Sequence, residues 1–304
     1  MLFPEVYFEG KFVNKDEAKI SIATHAFLYG TSVFEGIRAY WNEEKQKISI
    51  FRPLGHFERL HRSAKLLRMQ LEQSPEELVE LCIELIKKNK PTQDVYIRPI
   101  AYKAGIRIGP SLLNNPTEFC MFAVPMGDYI DTTKGISVTV SNWRRVEDNA
   151  IPPRAKIAGS YVNTALAKTD ALLSNFADAI VLDESGHVSE GSAMNLFLIR
   201  DGKLITPPCS SNILEGITKH TLIELAQEAM GLDVEQRIID RTELYICDEI
   251  FFCGTGAQVS PITSIDHYQI GNGQVGETTK KLRDLYFDIV RSKIPKYSKW
   301  CYEV

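Results

Sequence analysis

SEGSAMNLFLIRDGKLITPPCSSNILEGITK, residues 189–219, places an acid, a β-hairpin and a helix start within one short stretch. Asp201-Gly202 stands between two apolar runs, and this dipeptide favours the tight turn of a β-hairpin. We therefore expect strands over residues 194–199 and 203–206. Glu190 then lies just before the first strand.

A helix start follows the hairpin. Pro207-Pro208 interrupts the strand pattern, and apolar residues with helical spacing run from Gly216 towards Gly231. The first N–H groups of a helix have no partner within the helix, and the helix dipole makes them attractive to phosphate. The stretch thus predicts an anion site close to an acid.

The length of the chain predicts two domains. Its 304 residues exceed the roughly 250–300 residues at which a single core stops growing. Pro125-Met126-Gly127-Asp128 breaks the pattern. We expect a small α+β domain over residues 1–125, a linker over 126–135, and a larger domain over 136–304 in which strands and helices alternate.

Composition argues against several classes of partner. The net charge is −4, from 35 Lys and Arg against 39 Asp and Glu, without long runs of either sign. This balance disfavours nucleic acid or a membrane surface as the main partner. No apolar stretch approaches the roughly 18 residues of a membrane-spanning helix, and the first ten residues do not resemble a signal peptide. The six cysteines and six histidines lack metal-binding spacing. We expect a cytoplasmic protein with reduced thiols and no metal.

The opening stretch resembles a known family signature. It matches the class IV aminotransferases in residue type and spacing through Glu190-x-Ser192-x-x-Asn195-Leu196-Phe197, Leu204-x-Thr206 and Leu214-x-Gly216-Ile217-x-Lys219. The resemblance implies a pyridoxal 5′-phosphate (PLP) enzyme of fold type IV, a two-domain α+β and α/β architecture like that of D-amino-acid aminotransferase. Its known members include branched-chain and D-amino-acid aminotransferases, (R)-selective amine transaminases and aminodeoxychorismate lyases.

The resemblance assigns catalytic roles to three residues. In the branched-chain subgroup a lysine followed five residues later by a tyrosine binds the cofactor covalently, and Lys156 and Tyr161 have this spacing. Lys156 would act as nucleophile and then as base. Tyr161 would hydrogen-bond the phenolic oxygen of the cofactor. Glu190 matches the acid that pairs with the pyridine nitrogen and so favours its protonated form.

The phosphate of the cofactor needs cations and N–H donors. By the same resemblance, Arg59 in Glu58-Arg59-Leu60-His61 matches the phosphate-binding arginine. A planar guanidinium suits phosphate geometry. The backbone amides of Ile217 and Thr218, together with Thr255 in Gly254-Thr255-Gly256-Ala257, would complete the phosphate site.

A second pair of matches concerns the substrate. Tyr96-Ile97-Arg98-Pro99 puts Tyr96 and Arg98 on one face of a strand, and we expect the proline to end the ladder there. In branched-chain aminotransferases this element lies at the carboxylate side of the site, while Phe34 and Gly36 match the apolar pocket. Further candidates for the pocket, some reaching it from a neighbouring subunit, are Tyr29, Tyr129, Thr255, Gly256 and Ala257.

One loop departs from the better-known members of the family. Where they have glycine and methionine, this chain reads Gly105-Ile106-Arg107-Ile108-Gly109-Pro110. Arg107 is either a solvated loop charge or a second carboxylate-binding group near a subunit interface. Our hypothesis is that it helps bind the side-chain carboxylate of glutamate or 2-oxoglutarate, or broadens substrate choice.

These resemblances predict a branched-chain amino-acid aminotransferase. It would move the amino group of L-leucine, L-isoleucine or L-valine to 2-oxoglutarate and would form homodimers or assemblies of dimers. The alternatives are D-amino-acid or (R)-amine transamination or aminodeoxychorismate lysis on the same fold, and a non-enzymatic binding protein that has kept the scaffold.

Overall fold

The computed structural model describes residues 1–127 and 133–304. Tyr129 and half of the expected linker, residues 128–132, lie outside this description. The chain forms two compact units. Unit 1 comprises Met1–Gly127, Ala155–Gly159 and Asp288–Val304, and unit 2 comprises Asp128–Arg154 and Ser160–Phe287.

The described helices and strands follow one another along the chain. The first part contains β1 (Glu5–Phe8), β2 (Lys11–Asn14), α1 (His25–Tyr29), β3 (Ser32–Phe34), β4 (Ile37–Asn42), β5 (Lys47–Phe51), α2 (Pro53–Leu66), α3 (Pro75–Asn89), β6 (Val95–Lys103) and β7 (Thr117–Pro125). The remainder contains β8 (Ile136–Val140), α4 (Tyr161–Leu173), β9 (Asp178–Leu182), β10 (Val188–Gly191), β11 (Asn195–Arg200), β12 (Lys203–Thr206), α5 (Ile217–Glu228), β13 (Val234–Gln236), β14 (Glu249–Gly254), β15 (Gln258–Ile265), β16 (Tyr268–Gln269), α6 (Glu277–Val290) and β17 (Cys301–Glu303). Three short 3-10 helices cover Ala158–Ser160, Arg241–Tyr245 and Pro295–Trp300.

Unit 1 is built on a sheet with the strand order β17-β5-β4-β6-β7-β1-β2, and β3 pairs with β6. The predicted end of the ladder at Pro99 is wrong, because β6 continues through it to Lys103 and stays paired with β7. On one edge of β6, β4 pairs with residues 95–97 and β3 with residues 100–102. Pro99 falls in the gap between these partners, where its missing N–H breaks no ladder. Its carbonyl accepts a hydrogen bond from the Glu35 N–H at 2.9 Å.

Unit 2 contains the predicted hairpin. Strands β11 and β12 pair antiparallel, and Asp201 and Gly202 both have positive φ, as a primed turn requires. The strand order is β10-β9-β8-β15-β14-β11-β12-β13, with β16 beside β15. Glu190 precedes β11 as expected, but it lies in a short strand of its own, β10, and pairs with Val181 of β9. Helix α5 begins at Ile217, close to its predicted start.

The cores explain why these segments fold as they do. In unit 2, β8 pairs in parallel with β9 and β15, and its inward residues join a buried apolar cluster that includes Val138, Ile180 and Leu198. Such burial is worth roughly 1.5–3 kcal/mol for each large apolar side chain. In unit 1, α2 buries Phe57, Leu60 and Ala64 along one face, as its apolar spacing indicates.

Two segments group differently from the expected domains. We expected residues 136–304 to form one domain, but residues 155–159 and 288–304 belong to unit 1. The carboxyl-terminal segment joins unit 1 because β17 pairs with β5. The 155–159 segment joins it because Ile157 bridges to Val33 and the Lys156 carbonyl accepts from the Phe34 N–H at 3.0 Å.

Across residues 1–127 and 133–304, no helix combines the length and apolar character needed to span a membrane.

Candidate active site

Lys156 is fixed by its backbone. Its N–H donates to the Ser63 hydroxyl of α2 at 3.2 Å, and its carbonyl accepts from Phe34 at the end of β3. The half-buried side chain places Nζ 5.1 Å from the centroid of the Phe34 ring. Further along the same segment, Gly159 lies close to Gly30. A side-chain carbon on Gly30 would come within 2.8 Å of the Gly159 Cα. The segment that carries Lys156 is therefore held at several points within unit 1.

Phe34, Gly36, Tyr96 and Arg98 come together beside it. The Arg98 guanidinium lies 4.3 Å from the centroid of the Phe34 ring, and its Nη2 donates to the Tyr96 hydroxyl at 2.9 Å. Gly36 leaves space for Tyr96, because a side-chain carbon there would overlap the Tyr96 hydroxyl in its present position. Arg98 Nε is buried and has no hydrogen-bond partner within the described part of the chain. A buried donor beside an apolar ring suits a ligand with a carboxylate and an apolar side chain.

Arg59 is buried rather than exposed on its helix. Its Nε and Nη2 donate to the two carboxylate oxygens of Glu35, each at 2.7 Å, and Glu35 Oε2 also lies 2.8 Å from His56 Nδ1. Burial raises the pKa of Glu35, but Arg59 and His56 outweigh it and hold that pKa well below its usual range. Burial lowers the pKa of His56, and the contact with Glu35 offsets this only in part. The cluster thus pairs an ionised carboxylate with a guanidinium and a neutral imidazole.

Glu190 is held in unit 2 by hydrogen-bond donors on both of its carboxylate oxygens. Its Oε1 lies 2.9 Å from Arg145 Nη2, and its Oε2 accepts from Asn195 Nδ2 at 3.1 Å and from the Leu214 N–H at 3.2 Å. The Glu190 side chain is only 4% exposed. A carboxylate so deeply buried stays ionised when it is paired with a guanidinium and accepts hydrogen bonds. It can therefore stabilise a positive charge placed against it.

The start of α5 presents backbone donors. Its N-cap is Gly216, and no side chain caps the helix there. A side chain at Gly216 would collide with Asn195, so the glycine keeps the helix start and the Glu190 network together. Lys219 in the first turn is buried and donates to the Pro207 carbonyl at 2.7 Å, and burial lowers its pKa. Ile217 and Thr218 thus stand at a helix start that can bind an anion.

Other predicted residues lie in unit 2. Tyr161, half-buried, begins α4. Thr255 and Gly256 are also half-buried and connect β14 to β15, where Ala257 is buried and its carbonyl accepts from the Ser260 hydroxyl at 2.6 Å.

Arg107 folds back on its own loop in unit 1. Its Nη2 donates to the carbonyls of Ser111 and Leu113 at 2.7 and 2.6 Å, and its Nη1 donates to the Asn114 carbonyl at 3.4 Å. Tyr29 binds the same loop, because its hydroxyl accepts from the Gly109 N–H at 2.8 Å. Both residues therefore order this loop.

The sequence prediction missed three partners of the predicted residues: Glu35, His56 and Arg145. The sequence does mark Glu35, because it is a charged residue between the two predicted pocket residues Phe34 and Gly36. His56 precedes Arg59 by three residues, which places both on one face of α2. Arg145 offered no signal, because it is one of two adjacent arginines in a loop.

Comparison with known proteins places these residues in a family. The model of class IV aminotransferases matches residues 32–265. A probable branched-chain-amino-acid aminotransferase of Aquifex aeolicus is 50% identical over 294 residues, covering 97% of this chain and 94% of the relative. The branched-chain aminotransferase of the thermophilic archaeon Thermoproteus uzoniensis, solved with norvaline, superposes with a TM-score of 0.95 at 37% identity and covers 100% of this chain and 99% of that one. The PLP form of the branched-chain amino acid aminotransferase from Thermobaculum terrenum gives 0.95 at 35% identity, with coverage of 99% and 98%. The predicted family and fold type IV are thus confirmed, and the chain belongs to the class IV aminotransferases, which use pyridoxal 5′-phosphate as their cofactor.

Proposed function

We propose that this chain is a branched-chain amino-acid aminotransferase. It transfers the amino group of L-leucine, L-isoleucine or L-valine to 2-oxoglutarate and gives branched 2-oxo acids and L-glutamate. The names of its full-length relatives support this activity. One structural observation carries the proposal: the Arg98 guanidinium lies over the Phe34 ring, and its buried Nε has no hydrogen-bond partner among the described residues. This arrangement offers an N–H donor to a substrate carboxylate beside an apolar surface.

The residues present fit PLP. When bound, PLP supplies an electron sink that stabilises negative charge at the α-carbon of the substrate. The donor set matches its groups: an amine for the aldehyde, an ionised carboxylate for the ring nitrogen, and a guanidinium and a helix start for the phosphate. In this proposal Lys156, Glu190 and Arg59 take these roles, with Tyr161 at the phenolic oxygen and with Ile217, Thr218 and Thr255 at the phosphate.

Lys156 also moves the proton. Its Nζ takes the α-proton from the amino-acid substrate and returns a proton to the 2-oxo acid in the second half-reaction. The Phe34 ring beside it excludes water on one side. The hydrogen bond to Ser63 and the bridge at Ile157 fix the backbone of the Lys156 segment. A fixed backbone favours a constant position of Nζ for the proton transfer.

The substrate is recognised at both ends. We assign the α-carboxylate to Arg98 and Tyr96, the branched side chain to Phe34 and the space left by Gly36, and further backbone contacts to the 255–257 turn, which comprises Thr255, Gly256 and Ala257. Tyr29 and Tyr129 remain proposed pocket residues.

Arg107 remains a candidate for the side-chain carboxylate of glutamate or 2-oxoglutarate. Its loop carbonyl contacts orient it, and a guanidinium has five donors, so a ligand can still share it. Kinetics for glutamate and 2-oxoglutarate that are unchanged in Arg107→Ala would remove this role.

A second copy of the chain is the proposed partner. Unit 1 exposes large apolar side chains on α1 and on the 105–113 loop, and the two segments are joined by the hydrogen bond from the His25 N–H to the Gly105 carbonyl at 2.9 Å. The side chains are exposed by 60% or more at Phe27, Ile106, Ile108 and Leu113. Such a contiguous apolar surface marks an interface. We expect a dimer in sedimentation, converted to monomer by Ile108→Asp; a monomeric parent protein would contradict this.

The location of the enzyme is part of the proposal. All six cysteines are free, which is typical of a reducing compartment and supports a cytoplasmic enzyme.

A half-reaction tests the activity. L-Leucine, D-alanine and (R)-1-phenylethylamine are added separately to the holoenzyme, and the visible spectrum of the cofactor is followed. We expect L-leucine alone to convert the cofactor to its amino form and to release 4-methyl-2-oxopentanoate. Conversion by D-alanine or the amine, with L-leucine inert, would favour those transaminases, and pyruvate release from aminodeoxychorismate would favour the lyase. A protein without a cofactor band would be a binding protein.

A further inference from the structure

Arg59 owes its position to another side chain. An arginine has many rotamers, and a single helix does not choose among them. Here the guanidinium is buried, and both Nε and Nη2 contact Glu35 at 2.7 Å. This fork fixes the plane of the guanidinium as well as its place.

Glu35 is itself rigidly held. It is fully buried between the ends of β3 and β4, and its N–H donates to the Pro99 carbonyl at 2.9 Å. Its neighbours in sequence are the two pocket residues Phe34 and Gly36. One tripeptide therefore directs its first residue towards Lys156 and its second towards Arg59.

His56 completes the support. Its Nδ1 lies 2.8 Å from Glu35 Oε2, so the carboxylate has partners on both oxygens. His56, Arg59 and Ser63 are spaced by three and four residues along one face of α2, and Ser63 binds the Lys156 N–H. This face of the helix thus holds both the arginine and the lysine segment.

We propose that Glu35 is a positioning residue that sets the affinity of the enzyme for the phosphate group of its cofactor. It acts by orienting Arg59, and the inference rests on the proposed role of Arg59 at the phosphate. Two effects oppose each other, because the Glu35 charge also weakens the attraction of Arg59 for an anion. Orientation dominates, since without Glu35 the buried guanidinium loses both charged contacts and swings away from its present plane.

The test compares two ligands on the full-length apoenzyme. PLP carries the phosphate, whereas pyridoxal lacks it but offers the same ring and aldehyde. For Glu35→Gln we expect the Kd for PLP to rise roughly tenfold, as for supporting residues around other bound groups, while the Kd for pyridoxal changes by less than about twofold. Glu35→Asp keeps the charge but is too short for both contacts, so it should show a smaller loss of the same kind. It also carries the comparison if Glu35→Gln does not fold.

Arg59→Gln separates this inference from the function on which it rests. If Arg59→Gln leaves PLP affinity unchanged, the proposed phosphate role of Arg59 fails. If it weakens PLP binding and Glu35→Gln does not, only the inference about Glu35 fails. Equal losses for PLP and pyridoxal would show a merely structural role, and tighter PLP binding would show that charge outweighs orientation; each overturns the inference. In the double variant Glu35→Gln/Arg59→Gln, we expect no loss beyond that of Arg59→Gln alone.

Discussion

Gly36 packs so closely against Tyr96 that a side chain there requires Tyr96 to move. A methyl group at this position would overlap the Tyr96 hydroxyl and come within 2.7 Å of its Cζ. The hydroxyl is the far end of a side chain that can rotate away, so Gly36→Ala should fold. The rotation would break the 2.9 Å hydrogen bond from Arg98, and we expect kcat/KM for L-leucine to fall by roughly 10- to 100-fold, with a cost of about 1–3 kcal/mol in stability.

Gly127→Ala is the matched control for that substitution. A side-chain carbon at Gly127 meets no heavy atom of residues 1–127 or 133–304 within 4 Å. Steady-state kinetics and thermal unfolding of both variants decide the matter. Unchanged kcat/KM in Gly36→Ala would show that Tyr96 does not help to bind the carboxylate.

Single residues were predictable where a motif names them. The signature singles out Glu190 as a candidate, and the period of two places Tyr96 and Arg98 on one face, which the hydrogen bond between them confirms. The partner of Glu190 could not be predicted. Arg145 is 45 positions away in sequence, and a single sequence does not say which of many arginines folds against a given acid. Burial of a charge is a property of the tertiary structure.

At the scale of elements, α3 owes its start to local chemistry. Ser74 Oγ accepts from the Glu77 N–H at 3.2 Å, and Glu77 Oε2 accepts from the Ser74 N–H at 2.7 Å, which together form a capping box. Ser74→Ala removes one of these bonds at a cost of about 1 kcal/mol. We expect hydrogen exchange in the first turn of α3 to become roughly 5-fold faster, without a change in kcat.

The control for this prediction is Ser185→Ala, at an exposed turn serine. Exchange in α2 should stay unchanged in both variants. If α3 exchanges at the parent rate in Ser74→Ala, packing of its buried face rather than its cap limits the opening of the helix.

Elements with a local signal were therefore predictable, and those without one were not. The β11–β12 hairpin follows from Asp201-Gly202, because both residues adopt the positive φ of a primed turn. Strand β17 has three residues and pairs with β5 about 250 positions earlier. No local sequence pattern marks so short a strand. Its pairing with β5 closes a very long loop, and only the complete sheet, not the local sequence, determines which strand it joins.

For the whole molecule, too, the sequence predicts only part of the division into units. Two domains follow from chain length, but the chain returns to unit 1 for residues 155–159 and again for residues 288–304. Lys156 thus belongs to unit 1, while Tyr161, five positions later, belongs to unit 2. A break at Pro125-Met126-Gly127 is visible in sequence, whereas a five-residue excursion held by backbone contacts to Phe34 and Gly30 is not.

Acid stability is a property of the whole molecule to which the buried cluster contributes. The pKa of His56 lies below its usual 6.5, chiefly through burial. The unfolded chain therefore takes up a proton before the folded one does, so stability is complete above about pH 6.5 and falls as pH drops below it. The pKa of Glu35 is also lowered in the fold, despite the opposing effect of burial. Its contribution is likewise present at neutral pH and lost as pH falls below about 4.5.

The lowered pKa values of His56 and Glu35 thus predict that acid destabilises the fold in two successive pH ranges. We expect the unfolding temperature of the holoenzyme to decrease between about pH 6.5 and pH 5 because of His56, and more steeply below about pH 4.5 as Glu35 adds its loss. In His56→Gln the first decrease should become shallower, since no imidazole is left to protonate in the unfolded chain. His267→Asn, at an exposed histidine, should keep the parent profile. If His56→Gln and the parent protein lose stability in parallel over the upper range, folding does not lower the pKa of His56, and its contact with Glu35 fully offsets the effect of burial.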